Sequence, residues 1–304
     1  MTDPTNIQGK AILVSLSISK WLARTFDKVA TREVHQAHGA TDAGKFSKKL
    51  MASRDERTQE HNEYGALVAI QTQARTDHYA NTLAWGNKGL RLLPVANYDE
   101  YMRLQRGHLV AFARALPAFV RAYPALRLAA PAALGTLFKE GDYPAPDRIE
   151  ERFSIHYDRE PLPISGESIV DELAAPQVAQ VRAEYASRVD AKIEAATSAA
   201  MSDARERVGK VVRDLQTTMN RKKGESGFSF KDSKVGNIGR MVSTMRRLNV
   251  TDDDEFAAML DRIETALAGA DPQTLRDDTN ERAAIAKKAD EIVADMGAIF
   301  GGSQ

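Results

Sequence analysis

The spacing of apolar positions changes three times along the chain. Ala11-Ile12-Leu13-Val14-Ser15-Leu16-Ser17-Ile18 opens as an apolar run and then alternates, which predicts a β-strand buried at one end. From Ser19 the period lengthens. Trp21, Leu22, Thr25, Phe26, Val29, Ala30 and Val34 follow helical spacing, so a helix is expected from Lys20 to His38, capped by Ser19 and stopped by Gly39. Trp21 and Phe26 would then face a core, and Lys20, Arg24, Lys28 and Arg32 would form a basic stripe on another side. Residues 39–49 read as a loop, Asp55 to His78 as a long helix, and Asn81 to Asn97 as a glycine-containing loop closed by Pro94. Helices are expected from Tyr98 to Arg121 and from Pro124 to Lys139, with Pro117 and Pro131 kinking or dividing them. Pro146 suits the first residue of a short helix. Phe153 to Tyr157 alternates as a second strand, with a third possible at Glu167 to Val170.

From Pro176 to about Lys223 the pattern is one long helix. Val178, Val181, Tyr185, Val189, Ile193, Ala196, Ala200 and Met201 recur every three or four residues, and Val208, Val211, Val212, Leu215 and Met219 continue the series. Some 45 residues span roughly 70 Å, too long for burial inside a compact domain. Coiled-coil pairing, an antiparallel return or an oligomer interface follows. Gly224-Glu225-Ser226-Gly227 breaks the helix, and three more are expected: Lys231 to Leu248, Asp252 to Leu267 with Thr251 as cap, and Asp278 to Phe300. The expected class is α+β, predominantly α. A small sheet with helices would occupy residues 1–173, and the long helix with a helical C-terminal region residues 174–304.

Composition supports this. Of 304 residues 43% are hydrophobic, enough for a core, and aromatics at 7% are too sparse for an all-β sandwich. The absence of cysteine excludes disulfides, thiolate zinc sites and thiol nucleophiles. Met1 to Lys10 has no signal-peptide pattern, and no apolar run approaches the ~20 residues of a membrane helix, so a cytoplasmic protein without a membrane partner is expected.

Net charge is zero but strongly partitioned. Residues 205–250 hold twelve Lys/Arg against four Asp/Glu, whereas residues 251–304 hold five against thirteen. Such a split implies two charged faces that meet each other, another copy, or a charged partner. No phosphate-binding loop, dinucleotide fingerprint or zinc-protease motif is present. His35 and His38 share a helix face, but without further ligands they read as surface residues. Asp77-His78 offers half of an acid–base pair with no nucleophile motif. The expectation is a non-enzymatic protein with no catalytic residue, metal or cofactor.

The basic residues carry the functional reading. Arg205, Lys210, Arg213, Arg221, Lys222, Lys223, Lys231, Lys234, Arg246 and Arg247, with Arg207 and Arg240, could follow a nucleic-acid backbone by displacing counterions. Lys20, Arg24, Lys28, Lys45, Lys48 and Lys49 form a second candidate patch, with Trp21 and Phe46 able to stack on bases if exposed. Alternatively the first block faces the acidic tail from Asp252 onward, within one subunit or between two. Trp85, Lys88 and Arg91 mark a candidate partner loop.

Several segments carry a resemblance: Ser19 to Val34, Gly44-Lys45-Phe46-Ser47-Lys48-Lys49-Leu50, Asn81 to Pro94, Asn97-Tyr98-Asp99-Glu100-Tyr101, Leu134 to Phe138, Asp142-Tyr143-Pro144 and Pro161-Leu162-Pro163. In these the chain resembles a domain-of-unknown-function family of bacteriophages, plasmids and integrative elements. It departs in reading Leu83-Ala84-Trp85, where a proline is expected before the tryptophan, and Ile164-Ser165-Gly166-Glu167, where the family is closer to Gly-Asp-Phe-Arg. The resemblance implies an accessory protein encoded near a MoxR-type AAA+ ATPase and a von Willebrand A-type, cobaltochelatase-like protein. DNA metabolism, service as adaptor or substrate of that ATPase, and a virion or assembly role are the functions it implies; a homo-oligomer is expected from the long helix.

Overall fold

The computed structural model describes residues 7, 9–42, 44–55, 57–86, 89–163, 175–220, 233–268, 274–275 and 278–300. It is α+β and predominantly helical. In order come β1 (Ala11–Ser19), β2 (Arg24–Phe26), α1 (Lys28–Ala37), β3 (Ser47–Lys49), α2 (Glu63–Ala80), β4 (Leu83–Ala84), β5 (Arg91–Pro94), α3 (Tyr98–Leu134), β6 (Ser154–Glu160), α4 (Ala175–Asn220), α5 (Ser233–Leu248), α6 (Asp254–Ile263) and α7 (Thr279–Phe300). One sheet has the order β4-β5-β1-β6, and β2 and β3 form a separate two-stranded ladder. The chain divides into two compact units that are not consecutive in sequence. One comprises residues 1–15, 79–100 and 159–304, the other 16–78 and 101–158, whereas the sequence reading placed a single boundary at 173/174.

The first unit is built on α4. Val189, Ile193, Ala200, Met201, Val208, Val212, Leu215 and Met219 are buried, as the periodicity predicts. The stripe is covered by an antiparallel return: Gln216 donates to Asp290 at 2.6 Å, and Met296 packs beside Gly209 one to two turns earlier on α4. Ile285, Ala289, Ile292 and Met296 of α7 supply the complementary apolar face, with Ile238, Val242, Met245 and Leu248 of α5 and Phe256, Met259 and Leu260 of α6. Helix α6 starts later than expected. Asp252 takes a left-handed φ of 51°, so the cap is Asp253, not Thr251, its carboxylate accepting from Phe256 N at 3.0 Å. The helix ends at Ile263 and continues as a π-turn over Glu264–Ala268. The expected glycine loop at 81–97 contains β4 and β5, with β5 antiparallel to β1 through Ala11↔Pro94 and Val14↔Arg91. The third strand at Glu167 to Val170 and the break at Gly224 to Gly227 lie outside the described residues.

The second unit departs furthest from the sequence reading. No helix runs from Lys20. Ala23 adopts φ 46° and is buried, which turns the chain, and residues 24–26 pair with β3 through Arg24↔Lys49, Thr25↔Lys48 and Phe26↔Ser47. The helix begins only at Lys28 because Asp27 is its N-cap, accepting from Val29 N and Ala30 N. Helix α2 likewise starts at Glu63, since Asp55 holds a local turn by accepting from Arg57 N and Thr58 N. Helix α3 is continuous through Pro117, Pro124 and Pro131, where two helices were expected. The three prolines lie seven residues apart on the exposed face, so each carbonyl that loses its amide partner lies toward water, while Phe119, Tyr123 and Ala130 hold the other face in the core. By length and composition α3 could cross a membrane, which the sequence reading did not anticipate. Strand β6 runs on to Glu160, ended by Pro161.

Trp21 is packed as expected. Its ring meets Tyr64, Tyr123 and Tyr143 at centroid distances of 5.8–6.1 Å, and Phe119 and Phe153 extend the cluster. Lys48 closes this unit from the side. It is buried, donates to Leu137 O at 2.7 Å, and pairs with Asp142 at 2.7 Å and Asp27 at 3.1 Å. Burial pulls its pKa down, but the bonds to Asp142 and Asp27 outweigh that and hold it above the ordinary lysine value.

The Ala30 amide first, then Lys48, lowers the Asp27 pKa to about 2. A depressed carboxylate stabilises fully above its unfolded pKa of about 4 and ceases to do so as pH falls through about 2. The urea midpoint should therefore fall between pH 4 and 2, and Asp27→Asn should start lower and flatten that slope. Lys48→Met should cost roughly 3 kcal/mol, measured by urea unfolding at pH 7, because it removes the ammonium shared by Asp27 and Asp142 from a buried position.

Candidate nucleic-acid interface

The two basic patches fare differently. In the first unit Arg205 and Arg246 find acidic partners in the C-terminal segment, and Arg207 finds one on α4 itself. Arg205 pairs with Asp253, Arg246 with Asp261 at 2.5 Å and Glu264 at 2.6 Å, and Arg207 with Asp203 at 2.5 Å. Arg247 donates from Nε to Asn97 Oδ1 at 2.7 Å, and Arg240 to Asn237. The basic block and the acidic tail thus meet within one subunit, one of the two readings the charge split allowed. Lys210 and Arg213 remain exposed on α4. Arg221, Lys222, Lys223 and Lys231 lie outside the described residues, as does the side chain of Lys234.

The partner-loop residues are also structural in part. Arg91 donates to Thr82 Oγ1 at 2.7 Å and Thr82 O at 3.0 Å, and lies 4.6 Å from the Tyr79 ring centroid. Burial lowers its pKa, with Arg207 adding to the effect and Asp203 opposing it. Trp85 is half-buried against the core and lines a cavity of about 630 Å³ with Pro163, Val189, Ile193 and Ala196, flanked by Arg188 and Lys192. Lys88 is outside the described residues.

In the second unit the strand geometry sorts the basic residues by parity. Successive side chains of a strand point to opposite faces. Thr25 and Lys48 therefore turn inward, and Arg24, Phe26, Ser47 and Lys49 turn outward. This corrects two sequence expectations: Lys48 is unavailable to a ligand, and Phe26, 43% exposed, is a surface residue instead of a core one. Arg24 and Lys49 sit directly opposite each other in the ladder, where like charges repel. Neither makes an ion pair among the described residues, nor do Lys20 and Lys28. Lys45 Nζ lies 5.8 Å from the centroid of Phe26, and Phe46 beside it is 37% exposed. The outer face thus combines Arg24, Lys45 and Lys49 with the exposed ring of Phe26, while Phe46 has the parity of Lys48.

His35, His78 and His108 are held by hydrogen bonds within the second unit. His35 Nε2 is 2.9 Å from Gly44 O and helps fix the loop before β3. Asp77 pairs with His108 at 2.7 Å, whereas its neighbour His78 meets Tyr101 Oη at 2.8 Å. The sequence pointed to Asp77-His78; His108, 31 residues away, could be placed beside Asp77 only once α3 was known to pack on α2. Among the described residues no group of three or more His, Asp or Glu could hold a metal.

No family model, curated protein or solved structure matches the chain.

Opposed cations make the ladder a surface whose stability is not at stake when they are removed. Arg24→Ala and Lys49→Ala should leave the urea midpoint unchanged or raise stability by a few tenths of a kcal/mol, in contrast to Lys48→Met one residue away.

Proposed function

We propose that this chain is a non-enzymatic nucleic-acid-binding accessory protein, and that it contacts the phosphate backbone through the outer face of the β2–β3 ladder. Arg24, Lys45 and Lys49 supply the cations, with the exposed Lys28 near in sequence, and Phe26 supplies a ring on which a base can stack. One observation carries the reading: Arg24 and Lys49 are directly opposed and exposed, without a carboxylate partner among the described residues. An arrangement that repels itself in the free protein gains energy when a polyanion arrives. The contrast with the first unit supports it, because there Arg205 and Arg246 are already paired with Asp253, Asp261 and Glu264. The resemblance to phage and mobile-element proteins is consistent with a place in DNA metabolism.

Exposed aromatic rings favour single strands over duplex, whose bases are stacked inside. The test is anisotropy of labelled single- and double-stranded 20-mers at about 50 mM salt, where phosphate contacts are strongest. The expected result is binding that weakens steeply with salt and prefers single strands. Arg24→Glu/Lys49→Glu should weaken it more than tenfold, and Lys210→Glu/Arg213→Glu less than twofold. No binding at low salt would overturn the reading; loss only in the α4 variant would move the contact to the first unit.

A further inference from the structure

The outward face of α3 has an unusual composition. Between Glu100 and Glu140 the chain contains no acidic residue, while Arg103, Arg106, Arg114, Arg121, Arg127 and Lys139 fall in that stretch. Arg106, Val110, Arg114, Pro117, Arg121, Pro124, Leu128 and Pro131 recur at three- or four-residue spacing, so they share one side of the helix. All eight are exposed, Leu128 at 83% and Val110 at 53%. Phe112, Leu116, Val120 and Leu126 of the same helix pack against the unit's core, so the large apolar residues left exposed are Leu109, Val110 and Leu128. Val110 and Leu128 thus stand in water among arginines on a face without an acidic residue, which calls for a partner.

We infer that this face of α3 lies on an anionic lipid bilayer, parallel to its surface, with Val110 and Leu128 entering the headgroup boundary and the arginines meeting lipid phosphates. Charge and backbone both select this occupant. A second copy would set one arginine row against another, since a two-fold contact presents the same patch from both sides. A nucleic acid would satisfy the arginines but leave Leu128 and Val110 without gain. Spanning is disfavoured too. Arg114, Arg121 and Arg127 are six or seven residues apart, so no 20-residue stretch is free of charge. The opposite side of α3 is committed to the unit's own core through Phe119, Tyr123 and Ala130. The three prolines leave carbonyls that need water, which the interface supplies and the hydrocarbon does not. Basic and apolar residues on one exposed face are what an interfacial helix uses.

The test is flotation of the full chain with vesicles of phosphatidylcholine containing phosphatidylglycerol, against phosphatidylcholine alone, with single-strand binding measured in parallel. Binding is expected to the anionic vesicles and to be on the order of tenfold weaker to the neutral ones. Val110→Asp/Leu128→Asp and Arg114→Gln/Arg121→Gln should each reduce vesicle binding on the order of tenfold, with the circular dichroism spectrum unchanged. Arg24→Glu/Lys49→Glu should leave vesicle binding intact while weakening oligonucleotide binding, which separates this surface from the ladder. The inference is overturned if the chain does not float with anionic vesicles, or if Val110→Asp/Leu128→Asp floats as well as the parent. It is equally overturned if the α3 variants instead abolish oligonucleotide binding or convert a dimer to a monomer.

Discussion

The second unit depends on a lysine held inside it. Lys48 takes the inward position of β3, and its ammonium joins Asp27, Asp142 and Leu137 O. Asp27 does two things at once, since the same carboxylate caps α1. The ladder, the start of α1 and the turns that follow α3 therefore meet at one buried ion cluster. Fixing Lys48 inward fixes the parity of its neighbours. Lys49 and Ser47 are turned out, and across the ladder Arg24 and Phe26 with them. The candidate surface is thus a consequence of what the interior requires.

Charge is handled in opposite ways in the two units. In the first unit Arg205 is paired with Asp253, and Arg246 with Asp261 and Glu264, of the C-terminal acidic segment. Such pairs, half-exposed or at the surface, contribute little individually to stability. They do cancel the field that would otherwise attract a polyanion. On α3 Arg127 pairs with Glu140, but Arg24 and Lys49 of the β2–β3 ladder make no ion pair among the described residues, and Phe26 stands beside them. The proposed contact rests on that difference more than on the number of basic residues.

The legible parts were those where a single periodicity operates. β1 and the buried stripe of α4 followed the apolar spacing, and the antiparallel packing of α7 on α4 was among the outcomes that a 45-residue helix allowed. The segment from Lys20 to Val34 was not legible, because Trp21, Thr25, Phe26 and Val29 fit helical spacing and a strand-plus-cap equally well. What decided it was a left-handed Ala23 and a cap at Asp27 whose partner lies 21 residues on. The prolines of α3 misled for a related reason: their cost is small where the freed carbonyls face water, and sequence alone does not say which side does. Of the candidate site, the basic and aromatic residues were identified, but Lys48 and Phe26 were assigned to the wrong sides.

The account rests on the outer face of the β2–β3 ladder meeting nucleic acid. The most direct measurement is photo-cross-linking of a single-stranded oligonucleotide carrying 5-bromodeoxyuridine, with the adducts located by mass spectrometry. The account predicts adducts on the peptide covering Phe26. Adducts confined to α4 and α5, or none at low salt, would contradict it.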